Sequence, residues 1–98
     1  MKQVAVIVGG GQTLGEFLCK GIADVGYKVA VADLNIANAN KVADEINQKH
    51  GAGTAKGFGV DATNEESVIQ LANDVNDTFK RADLMVYSAG VAKAAPTE

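Results

Sequence analysis

The chain of 98 residues contains one cysteine, one histidine, one arginine, one proline and no tryptophan. With Cys19 alone, no internal disulfide can form, and with His50 as the single imidazole no Cys/His zinc pattern can be assembled. Nine basic residues against twelve acidic ones leave a net charge of −3, so there is no basic face for nucleic acid or an anionic membrane. The opening apolar run, residues 4–8, meets three glycines at once and is too short for a signal-peptide core or a membrane span. These absences lead us to expect a soluble cytoplasmic protein with neither a nucleic-acid nor a membrane partner. A chain this short is one domain at most, burying roughly 60–70% of its unfolded surface.

What is present alternates between two periods. Val4-Ala5-Val6-Ile7-Val8 is continuously apolar, as in a strand buried on both faces. Residues 14–25 then place Leu14, Phe17, Leu18, Ile22 and Val25 on one helical face, closed by Gly26. Residues 29–32 predict a second strand ending at Asp33. A second helix carries Ala39, Val42, Ala43 and Ile46 and stops near Gly51. A third strand is expected within residues 54–60, where Gly57 and Gly59 lower strand propensity. Thr63-Asn64-Glu65-Glu66 has the form of a capping box, with Thr63 as cap. The helix after it shows Val68, Leu71, Ala72, Val75 and Phe79 as its stripe, with Lys80 and Arg81 at its end to meet the helix dipole. Residues 84–87 predict a fourth strand in which Tyr87 is packed, and residues 91–98 read as a loop.

The order β-α-β-α-β-α-β predicts an α/β fold, a doubly wound parallel sheet of Rossmann type with strand order 3-2-1-4. In that order the fourth strand is an edge, yet it is as apolar as a central strand. Natural edges are usually guarded by charge, proline or a covering element. Residues 1–98 therefore read as a single, truncated dinucleotide-binding domain awaiting a fifth strand.

Two features point to a ligand. Gly9-Gly10-Gly11-Gln12-Thr13-Leu14-Gly15 lies between the first strand and the first helix. A pyrophosphate needs a tight turn, a backbone free of side chains and helix N–H groups aimed at it, and Gly9, Gly11 and Gly15 can provide these. The last glycine falls one residue late for G-x-G-x-x-G. Asp33 ends the second strand at about the distance expected of an acid that accepts the adenosine ribose hydroxyls. Its charge would repel a 2′-phosphate, which favours NAD over NADP. A Walker loop is excluded because no Lys-Ser or Lys-Thr follows the glycines. Cys19 reads as a packed, inert thiol and His50 as a solvated helix end.

Over essentially its whole length the chain resembles the short-chain dehydrogenase/reductase family. Of that family's T-G-x-x-x-G-x-G motif, Gly9 and Gly15 match while Val8 and Thr13 depart. The resemblance implies a cofactor site formed by Gly9, Gly11, Gln12, Thr13, Leu14, Gly15 and Asp33. It adds Asp61 and Ala62 at the adenine, and Ala89 and Gly90 along the cofactor ribose. The family's N-N-A-G after strand four stands here as Tyr87-Ser88-Ala89-Gly90, so the roles of its two Asn do not carry over. Within the family, Gly-Gly-Gly-Gln-Thr-Leu-Gly together with Tyr-Ser-Ala-Gly-x-Ala-Lys-Ala-Ala is similar to members that interconvert sorbitol 6-phosphate and fructose 6-phosphate with NAD. That implies a polyol phosphate as substrate and a homo-oligomer for a full-length enzyme.

The family's catalytic Tyr-x-x-x-Lys has no counterpart among these residues: Val31 follows Tyr27 and Val91 follows Tyr87 at the lysine spacing. No catalytic residue is named, and the 98 residues are expected to be inactive alone. Two other functions fit the same pattern: a stand-alone NAD-binding module, or a short-chain dehydrogenase acting on a different alcohol. A methyltransferase-like loop is disfavoured by Asp61-Ala62 and Ala89-Gly90.

Overall fold

The computed structural model describes residues 2–11 and 13–87. Strand β1 (Val4–Val8) leads to helix α1 (Thr13–Asp24), β2 (Lys28–Asp33), α2 (Ile36–His50), β3 (Ala55–Gly59), α3 (Glu65–Phe79) and β4 (Leu84–Tyr87). The strands are parallel and ordered β3-β2-β1-β4, as expected. Val6 of β1 pairs with Ala30 of β2 and Met85 of β4. Among the described residues, no helix is long and apolar enough to cross a membrane.

The side-chain period of two divides β1 between two cores. Ala5 and Ile7 face α1 and α2, packing with Cys19, Ala23, Val29, Val31, Val42 and Ile46. Val4, Val6 and Val8 face α3, packing with Ala30, Ala32, Phe58, Leu71 and Val75. That is why β1 shows no polar alternation.

The α2 stripe is buried as expected, whereas α1 is turned from its apparent apolar face. Its buried residues are Gly15, Cys19 and Ala23, with Leu18 and Ile22 half-buried. Leu14, Phe17 and Val25 stand 59%, 72% and 73% exposed. Small residues at a four-residue spacing let the helix axis approach the sheet closely, and that contact outweighs the larger apolar side chains. On α3, Leu71 and Val75 are buried and Val68 and Phe79 half-buried, while Ala72 is exposed.

The α3 cap is Asn64, whose side chain accepts from the Ser67 N–H, and not Thr63. The Thr63 hydroxyl is already given to Asp61. Lys80 lies past the helix in a left-handed conformation, its N–H donating to the Asn76 carbonyl. The Arg81 guanidinium sits on the Asp83 carboxylate instead of the helix end. Asp83 also accepts from the Val4 N–H at 2.8 Å, and its own N–H donates to the Val4 carbonyl, pinning the start of β4 to β1. Tyr87 is 39% exposed on the β4 edge, not packed. His50 is not merely solvated: its Nε2 lies 2.8 Å from Asp24 Oδ1, linking α2 to α1. Asn47 ties α2 to β3 through both its amide atoms, accepting from the Ala55 N–H and donating to the Ala55 carbonyl.

Candidate cofactor site

The carboxyl ends of β1, β2 and β3 bring the glycine turn, Asp33 and Asp61 to one edge of the sheet, where ligands of open α/β folds bind. Gln12, Ala89 and Gly90 lie outside the described residues.

Gly9 sits at φ 90°, a conformation open to glycine at little cost. Three successive N–H groups of the turn then point at the end of β2. Those of Gly9 and Gly10 both donate to the Ala32 carbonyl, at 2.7 and 3.0 Å. That of Gly11 donates to Asp33 Oδ2 at 3.0 Å. Gly9 and Gly11 therefore contribute shape to the site, their own N–H groups being used within the protein. The donors left for a phosphate are the first-turn N–H groups of α1, those of Thr13, Leu14 and Gly15, which have no intrahelical acceptor. The helix dipole adds partial positive charge there. Glu16, also in the first turn, is paired with Lys20 Nζ at 2.7 Å, an ammonium that it shares with Glu45.

Each glycine is bare for a different reason. A Cβ on Gly15 would run into the Gly9 carbonyl oxygen, so α1 rests directly on the turn. A Cβ on Gly10 would fall 2.8 Å from Cys19 Sγ, which lies beneath the turn. Burial pushes the Cys19 thiol up to about 12, with the Glu16 charge adding to it. A Cβ on Gly11 would lie 2.8 Å from the Asn38 Cβ and 3.0 Å from Asp33 Oδ2. The sequence assigned the bareness of Gly11 to the approach of pyrophosphate, but α2 and Asp33 already require it.

Asp33 ends β2 as expected, but it is 4% exposed. Its Oδ2 accepts from Gly11 and its Oδ1 from the Asn35 N–H at 2.9 Å. An ionised carboxylate has about four acceptor positions, so capacity remains for ribose hydroxyls. Asp61 follows β3, and its Oδ1 accepts from both the N–H and the hydroxyl of Thr63. The Thr63 hydroxyl, then its N–H, hold the Asp61 carboxyl below the usual carboxylate range. Ala62 beside it is exposed.

Sequence reasoning missed Leu34 and Ile36, both exposed apolar residues flanking Asp33. Their signal was available: apolar side chains directly after a strand end, where a solvated loop would carry polar ones. A shallow cleft between α1 and α2, lined by Lys20, Asp24, Glu45, Lys49 and His50, contains none of the site residues.

The fit to a dinucleotide thus rests on the bare turn, the first-turn donors of α1, which have no intrahelical acceptor, and the carboxylates of Asp33 and Asp61. Comparison with known proteins points the same way. The family model for short chain dehydrogenases matches residues 3–98. The chain is 58% identical over 95 residues to sorbitol-6-phosphate 2-dehydrogenase of Escherichia coli strain K12, covering 97% of this chain and 37% of that protein. It superposes on the crystal structure of sorbitol-6-phosphate 2-dehydrogenase from Erwinia amylovora with a TM-score of 0.87 and 68% identity, over 94% of this chain and 36% of that one. A 3-ketoacyl-(acyl-carrier-protein) reductase from Brucella melitensis, crystallised with NADH, gives a TM-score of 0.77 at 31% identity, over 85% of this chain and 32% of that one. The chain spans a little over a third of the two sorbitol-6-phosphate enzymes.

Proposed function

The chain belongs to the short chain dehydrogenase family, and we propose that it forms the NAD-binding part of an oxidoreductase interconverting sorbitol 6-phosphate and fructose 6-phosphate. The observation carrying the substrate is the identity, 58% and 68%, to two sorbitol-6-phosphate 2-dehydrogenases across nearly all of the chain. A cytoplasmic setting and a homo-oligomeric assembly, both implied by the resemblance, belong to the same proposal.

The geometry supports a division of labour. The N–H groups of Thr13, Leu14 and Gly15, at the α1 N-terminus, hold the pyrophosphate, and the family resemblance adds Gln12 to them. Gly9 and Gly11 shape the turn that admits it. Asp33 accepts from the adenosine ribose and repels a 2′-phosphate, so NAD is taken in preference to NADP. Leu34 and Ile36 offer apolar surface beside it for the adenine, with Asp61 and Ala62 at its polar edge. From the family resemblance alone, Ala89 and Gly90 are assigned to the cofactor ribose. When bound, the nicotinamide supplies the hydride acceptor, and the alcohol proton requires a positioned base. Neither Tyr27 nor Tyr87 has a lysine four residues on.

The test is NADH absorbance after mixing NAD and sorbitol 6-phosphate with the enzyme to which these residues contribute. Turnover that depends on the phosphate group is expected, with none from the 98 residues alone. Oxidation of unphosphorylated sorbitol at an equal rate would contradict the substrate. Turnover by the 98 residues would reveal a base not recognised here.

A further inference from the structure

We propose that Asp33 is a positioning residue as well as a ribose acceptor: its carboxylate latches the glycine turn to the start of α2 before any cofactor arrives. The link to cofactor binding rests on the function proposed above; the latch itself does not.

The geometry is specific. The carboxylate is 4% exposed and lies between two backbone donors on different segments, Gly11 N at 3.0 Å and Asn35 N at 2.9 Å. The Ala32 carbonyl beside it takes the N–H groups of Gly9 and Gly10. The end of β2 therefore binds the whole turn through three successive donors, and only the last requires a side chain. Gly11 fits because it is glycine, since a Cβ would press on Asn38 Cβ and on the carboxylate oxygen that closes the latch. Hydrogen bonds to an ionised acceptor are the stronger kind. The donors also fix the carboxylate's orientation, so acceptor positions remain set for ribose hydroxyls without rearrangement, which lowers the ordering cost of binding.

Gly11 is only half-buried, so slow exchange of its amide proton would report the hydrogen bond and not burial. The experiment is amide hydrogen exchange by NMR on the chain without cofactor. In the unaltered chain, the Gly11 and Asn35 amides should exchange at least tenfold slower than in an unstructured peptide. Asp33→Ala should release both by at least tenfold while the core amides of Ile7 and Val31 keep their protection. Asp33→Asn, nearly the same size, serves if that variant does not fold. Its amide offers one oxygen acceptor and presents an NH2 to the other donor, so one of the two backbone amides should be released. Fast exchange of Gly11 in the unaltered chain overturns the latch. So does protection kept at both amides in either variant. Because no cofactor is present, failure here leaves NAD binding standing, and failure of NAD binding leaves the latch measurable.

Discussion

At the scale of single residues, Asp33 and Gly15 carry the sharpest expectations. If Asp33 reads the ribose as proposed, Asp33→Asn removes the charge facing a 2′-phosphate, and a preference for NAD over NADP should shrink by about 1–3 kcal/mol, the scale of one charge-assisted hydrogen bond. Parallel titrations with the two cofactors measure it, and an unchanged ratio would show that Asp33 does not read the ribose. Gly15→Ala sets a methyl group against the Gly9 carbonyl oxygen, a backbone atom with little room to yield. Overpacking of this kind costs about 1–3 kcal/mol of stability, to be read from urea unfolding. The positions of Gly9, Gly15 and Asp33 at the turn, the helix start and the strand end were legible in the sequence because they follow from spacing around a strand–turn–helix. The reason for Gly11 was not. It depends on Asn38, twenty-seven positions away, and only the folded crossover brings that residue against the turn.

At the scale of elements, the described strands and helices all lie where the sequence placed them, but hydrophobic period misjudged the face of α1. Leu14, Phe17 and Val25 form a convincing stripe, yet Gly15, Cys19 and Ala23 are the residues on the sheet. Closeness of approach is invisible to a hydrophobicity count. The α3 cap was displaced by one residue because Thr63 is drawn into the Asp61 turn. Asn64→Ala should therefore cost about 1 kcal/mol of unfolding free energy, and more than Thr63→Ala; the reverse order in urea unfolding would restore Thr63 as the cap. The Asp83 tie between β4 and β1 makes a pH prediction. The Arg81 guanidinium, then the Val4 N–H, hold the Asp83 carboxyl below the usual carboxylate range. A carboxyl depressed on folding stabilises fully above its unfolded value, and that contribution is lost as pH falls through the folded one. The chain should thus be more stable than Asp83→Asn at neutral pH, and the gap should close in acid below the usual carboxylate range. A gap independent of pH in unfolding titrations would mean that the ion pair contributes nothing.

At the scale of the whole molecule, strand order 3-2-1-4 followed from the alternation of periods and the right-handed crossover rule. The order sets the site, because it brings the ends of β1, β2 and β3 together at one edge of the sheet. It also places β4 at the lateral edge of the described sheet, with Leu84, Met85 and Tyr87 exposed, where the sequence led us to expect packing for Tyr87. The central claim is that the turn from Gly9 to Gly15, closed by Asp33, holds NAD. Calorimetric titration tests it most directly, with NAD added to the chain and to Gly11→Val, each first shown to be folded by circular dichroism. The branched side chain meets Asn38 and the Asp33 oxygen and fills the turn, so NAD affinity should fall by well over tenfold, several kcal/mol of binding. Equal affinity in the two proteins would contradict the account.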